Sequence, residues 1–101
     1  MRRDSSVAYA KKRDANQSPI VDALRDIGVG VYDSSQSGNG LTDLICIFRG
    51  KVYLLEVKNP EGRGSRLTPA QVDFHQLCRM HGYEVRIVET VEQAMAVFGA
   101  R

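Results

Sequence analysis

Asp43-Leu-Ile-Cys-Ile-Phe-Arg-Gly-Lys-Val-Tyr-Leu-Leu-Glu-Val-Lys58 consists of two apolar runs joined at Arg49-Gly50. Both runs are short and rich in β-branched and aromatic residues, and the join contains glycine. The stretch therefore predicts an antiparallel hairpin, Asp43 to Phe48 against Lys51 to Lys58. Side chains alternate faces along a strand, so Glu56 and Lys58 share one face while Leu55 and Val57 occupy the other. Val52 and Leu54 share the Glu56 face and are apolar. The second strand is accordingly expected to be buried on both faces, with its charges at one end. If Phe48 pairs with Lys51, then Ile47 faces Val52, Ile45 faces Leu54 and Asp43 faces Glu56, with Cβ atoms roughly 5 Å apart. Like charges in that position weaken a sheet, and a hard divalent cation, which takes oxygen ligands, would reverse the penalty. A bulge or an odd-length loop at Arg49-Gly50 would shift the register by one and break the alignment.

Outward from the hairpin, Val29 to Tyr32 reads as a short strand, followed by Asp33-Ser-Ser-Gln-Ser-Gly-Asn-Gly40, which has loop composition. Before it, Ile20, Val21, Leu24 and Ile27 recur at helical spacing, with Ser18-Pro19 as cap and first-turn proline, or an earlier start near Asp14, and Gly28 as the stop. After the hairpin comes a Gly/Pro-rich loop from Asn59 to Arg66. Thr68-Pro69-Ala70-Gln71 then opens a helix with threonine as cap, proline in the first turn and glutamine placed for a capping box. Its expected apolar stripe is Ala70, Phe74, Leu77 and Cys78. Gly82 ends it, Glu84 to Val88 is a strand, and Thr90 to Gln93 repeats the capping pattern ahead of Val91, Ala94, Met95 and Phe98. The order is α-β-β-β-α-β-α, an α/β fold with a mixed β-sheet flanked by helices.

Composition narrows the function classes. At 101 residues the chain is expected to form one domain, residues 1–101, with residues 1–13 as a basic N-terminal arm. No apolar run approaches the roughly 20 residues that span a bilayer, and the basic start lacks the apolar stretch of a secretory signal. Cys46 and Cys78 form no C-x-x-C and fall in different elements, so they are expected to be structural in a reducing cytoplasm. The net charge of +2 is uninformative, but its distribution is not. Lys11, Lys12 and Arg13 crowd the arm, and Arg63 and Arg66 occupy the second glycine-rich loop; they read either as phosphate contacts or as a solvated basic surface. Ser37-Gly-Asn-Gly40 lacks the lysine of a phosphate-binding loop and reads as a place where the chain approaches a substrate backbone. His75 and His81, six apart on one helix, do not share a face for joint metal binding. His81 suits the helix C-terminus.

The series of Gly40-Leu-Thr-Asp43, a hairpin, Glu56-Val57-Lys58 and the Thr68-to-Gln71 helix start resembles the PD-(D/E)xK nuclease superfamily and, within it, the stand-alone VRR-NUC domains of phages and bacteria. The resemblance runs from about Arg13 to Phe98. It implies a restriction-endonuclease-like core and hydrolysis of DNA phosphodiester bonds to 5′-phosphate and 3′-hydroxyl ends, and the leading expectation is a structure-selective endonuclease acting on four-way junctions or other branched DNA. It implies that Asp43, Glu56 and the Val57 carbonyl ligate Mg²⁺ or Mn²⁺, and that Lys58 orients the attacking water. Gln71 corresponds to a glutamine near the site, or it is a capping residue, or both. Where related domains carry a glutamate at the first helix, this chain has Gln17. Gln17 brings no negative charge, so Asp14 or Asp22 substitutes or the site manages without it. The resemblance and the small size together imply a homodimer, since cutting both strands of a junction takes two sites. A catalytically silent nucleic-acid-binding module, and a nuclease subunit working with a helicase or other repair partner, are the alternatives.

Overall fold

The computed structural model describes residues 17–59 and 67–99. Within them run α1 (Gln17–Asp26), β1 (Gly30–Asp33), β2 (Leu44–Phe48), β3 (Lys51–Val57), α2 (Pro69–Met80), β4 (Arg86–Val88) and α3 (Val91–Val97). This is the predicted order. The strands form one four-stranded sheet in the order β1-β2-β3-β4. The first two pairings are antiparallel, and β4 joins β3 in parallel after the crossover through α2. The result is the predicted mixed sheet.

The hairpin register follows the predicted one: Phe48 pairs with Lys51, Ile47 with Val52, Ile45 with Leu54 and Leu44 with Leu55. The turn makes this possible because Arg49 (φ 53°) and Gly50 (φ 78°) both take the left-handed conformation that a two-residue hairpin turn needs to match the twist of its strands. The register fixes two unlike faces. Leu44, Cys46, Leu55 and Val57 point into a core closed by Ile20, Val21 and Leu24 of α1 and Ala94 of α3. Phe98 finishes this side with edge-on contacts to Phe48 and Tyr53. Cys46 lies in this core, where burial pushes its thiol up to about 11, and Cys78 is half-buried and free.

The opposite face corrects the expectation of a strand buried on both sides. Glu56 is fully buried there, yet Val52 is 53% exposed and Ile47, its partner on β2, 55%. The cover is α2, which meets this face at the Glu56 end and leaves the hairpin end open. Its inward face also differs from the predicted stripe. His75 is the buried residue, with Gln71, Phe74 and Cys78 half-buried, while Ala70 and Leu77 are exposed. An apolar periodicity cannot find a helix face chosen for a carboxylate. Beyond β4, which pairs with β3 only from Leu55 to Val57, the Leu54 N–H is taken by the Tyr83 hydroxyl at 2.6 Å. Among the described residues no helix is long and apolar enough to cross a membrane.

Candidate functional site

Glu56 and Lys58 lie at the C-terminal end of β3 on the α2 side, as the alternation of side chains requires. Glu56 is 0% exposed and Lys58 8%. Asp43 comes from the start of β2, but it leaves the ladder before pairing, so the strand begins at Leu44 rather than at Asp43. Its carbonyl accepts from the Ser34 N–H at 2.8 Å, and its Oδ2 accepts from the Val57 N–H at 2.9 Å. The carboxylate thus lies across the end of β3 beside Glu56. A buried polar clasp fixes this entry: the Ser34 hydroxyl donates to the Thr42 carbonyl, and the Thr42 hydroxyl donates to the Leu55 carbonyl. Val57 places its side chain in the core and its main chain at the strand end next to Asp43.

From α2, Gln71 does two things. Its Oε1 accepts from the Thr68 N–H while Thr68 Oγ1 accepts from the Gln71 N–H, which closes the capping box. Its Nε2 donates to Glu56 Oε2 at 2.7 Å. Lys58 Nζ stands 3.3 Å from the same oxygen. The other oxygen, Oε1, is buried and has no hydrogen-bond partner. His75 Nε2, equally buried and unpartnered, faces it at 3.8 Å.

This setting pushes the Glu56 carboxyl up to about 8, first because burial penalises the charged form and second because Asp43 stands beside it; Lys58 opposes the shift. Burial, aided by Arg79 and Lys58, holds the His75 imidazole below its ordinary range. The site therefore contains two adjacent carboxylates, one of them expensive to ionise, and an orphan carboxylate oxygen. A divalent cation relieves both, and hard oxygen donors suit Mg²⁺ or Mn²⁺. Among the described residues no three His, Cys, Asp or Glu side chains gather to hold an ion. Asp43, Glu56 and a main-chain carbonyl would be the protein's share, which fits an ion that keeps several waters and substrate oxygens.

Other expected contributors lie elsewhere. Gln17 is 2% exposed, and its Nε2 donates to both Asp33 oxygens at 3.3 Å. It tethers the first helix to the acidic end of β1 and brings no charge of its own. It is already helical, so Ser18 is not the cap. Asp22 is exposed on α1. Asp14, Lys11, Lys12, Arg13, Arg63 and Arg66 fall outside the described residues. Gly40 does not give open room for a substrate. A Cβ there would sit 2.3 Å from the Ala70 carbonyl oxygen, so the glycine lets the loop touch α2. Sequence reasoning missed Ser34, Thr42 and His75. The spacing of His75 four residues after Gln71 was the available signal, because i and i+4 share a helix face.

Comparison with solved structures finds a VRR_NUC domain that superposes with a TM-score of 0.63 at 26% identity, covering 81% of this chain and 88% of that one. No family model matches the sequence, and no curated protein does. The mixed sheet and its order of elements suit that likeness, and together with the motif series they make this chain similar to a VRR-NUC domain, a fold of the PD-(D/E)xK nuclease superfamily.

Proposed function

We propose that the chain is a divalent-metal-dependent DNA endonuclease, selective for four-way junctions or other branched DNA. The observation that carries this reading is the buried Glu56 carboxylate packed beside Asp43, with Lys58 on the same face. In the proposed roles, Asp43, Glu56 and the Val57 carbonyl hold Mg²⁺ or Mn²⁺. Bound there, the ion supplies Lewis-acid polarisation of the phosphodiester and offsets developing negative charge. Lys58 contributes a preorganised positive charge and orients the attacking water. Gln71 keeps Glu56 in one orientation and ties it to the N-terminus of α2, where main-chain N–H groups favour an anion. Lys11, Lys12, Arg13, Arg63 and Arg66 are the proposed phosphate contacts, within a single domain of residues 1–101 that works in a bacterial or phage-infected cytoplasm.

A homodimer places two such sites on one junction. The half-exposed Ile47 and Val52 on the sheet, with Leu77 and Met80 on α2, offer it an apolar face. A second reading, a silent nucleic-acid-binding module or a subunit awaiting a helicase or repair partner, draws on Gln17, which is engaged with Asp33 and brings no third carboxylate to the site. Labelled duplex, single-stranded, flap and four-way junction DNA, incubated with Mg²⁺, Mn²⁺ or EDTA, separates the two. Cleavage that needs metal and disappears in Asp43→Ala and Lys58→Ala supports the endonuclease. Binding without cleavage under either metal supports the second reading.

A further inference from the structure

Gln71 and His75 stand one helical turn apart on α2 and address the two oxygens of one carboxylate: Gln71 Nε2 lies 2.7 Å from Glu56 Oε2, and His75 Nε2 lies 3.8 Å from Glu56 Oε1. Both atoms of the second contact are buried, and neither has a hydrogen-bond partner. Leaving a buried polar atom unpaired costs about 1–3 kcal/mol, and here two such atoms face each other. Each is the partner the other lacks. An approach of roughly 1 Å brings them to an ordinary N–H···O distance. His75 is 6% exposed, so no solvent competes for Nε2.

We propose that His75 is a positioning residue for Glu56: its Nε2–H donates directly to Oε1, so that α2 grips both carboxylate oxygens and fixes the direction in which Glu56 meets a cation. This rests on the reading of Glu56 as a metal ligand. The uneven grip follows from the fold, because Gln71 is pinned by the capping box while His75 sits a turn further into the helix. Glu56 is already held by β3 on one side, so the two α2 contacts remove its remaining rotational freedom. Groups that orient a ligand in this way typically change metal affinity by about 10- to 100-fold when lost.

The test is Mn²⁺ titration of the full chain by calorimetry without DNA, alongside thermal unfolding of each variant. His75→Leu removes the donor and fills similar space, and His75→Gln restores an N–H near the position of Nε2. Glu56→Gln tests the underlying reading. The expected result is Mn²⁺ affinity at least about 10-fold weaker in His75→Leu and largely restored in His75→Gln. A merely structural role would move Tm in both variants without that rescue. Wild-type affinity in a folded His75→Leu overturns the proposal while leaving Glu56 as a ligand. If His75→Leu fails to fold, His75→Gln decides: near-wild-type affinity upholds the donor, and affinity lost with Tm retained overturns it. Unchanged Mn²⁺ binding in Glu56→Gln removes the reading of the site and the His75 proposal together.

Discussion

Glu56 is a carboxylic acid that this fold keeps protonated to about pH 8, whereas an unperturbed glutamate ionises near 4.5. Its folded value lies above its unfolded value, so between those limits the native chain binds more protons than the unfolded one. The stability it contributes is fully present below about pH 4.5, declines as the pH rises, and is gone once the pH has passed the folded value near 8. The metal-free protein should therefore show a Tm that falls across this window, and Glu56→Gln should flatten the profile and melt several degrees above wild type at its alkaline end. A parallel fall in both proteins would place the titration elsewhere. A cation and the proton compete for the same group, so metal binding should release protons and tighten as pH rises toward 8. Calorimetry in two buffers of different ionisation enthalpy measures the release. Lys58, 3.3 Å from Glu56, is expected to matter mainly in the reaction itself. Lys58→Ala should lower single-turnover cleavage by ~10²–10³-fold, the usual loss when one charge-stabilising donor is removed. At this scale the sequence was informative for Glu56 and Lys58, whose shared face follows from a two-residue period, whereas Asp43 reaches Glu56 from outside the ladder, through its bond to the Val57 N–H. The sequence was silent on Thr42 and Ser34, whose hydroxyls find their partners through loop geometry that no spacing encodes.

Elements matter here chiefly through one contact between a loop and a helix. Gly40 has φ +81° and touches the Ala70 carbonyl, so α2 can sit low enough on the sheet for Gln71 to reach Glu56. Gly40→Ala adds two penalties, a left-handed alanine and a methyl 2.3 Å from that oxygen. Gly38→Ala adds only the first, since nothing lies within 4 Å of its Cβ position (φ +75°). Each strained residue costs on the order of 1–3 kcal/mol. Chemical denaturation should thus show both variants destabilised, with Gly40→Ala the worse and alone in losing Mn²⁺ affinity. Equal effects would mean that α2 does not depend on this approach. The elements themselves were readable from sequence, with the hairpin register, the Thr68 capping box and the element order all as expected. The inward face of α2 was not, because Leu77 points to solvent while His75 is drawn to a carboxylate supplied by another element.

At the scale of the whole molecule, the described residues give the sheet one well-filled side and one half-covered side. On the second, Val52, Leu54, Leu77, Cys78, His81 and Tyr83 line a groove of about 430 Å³ that continues the exposed apolar residues of the hairpin. If two copies pair through it, sedimentation at micromolar concentration should give a dimer, and Val52→Glu should give a folded monomer with weakened junction cleavage. A wild-type monomer under those conditions counts against the paired arrangement. Tyr83 has a different consequence at this scale. Because β4 is three residues long, the edge of β3 away from β2 meets no strand from Lys51 to Leu54 among the described residues, and the Tyr83 hydroxyl covers the Leu54 N–H where a neighbour would otherwise bind. An uncovered strand edge invites strand addition by other chains and, with it, aggregation. Tyr83→Phe should consequently leave the native spectrum intact while promoting concentration-dependent, dye-binding fibrils during refolding, which makes one phenolic oxygen a guardian of solubility.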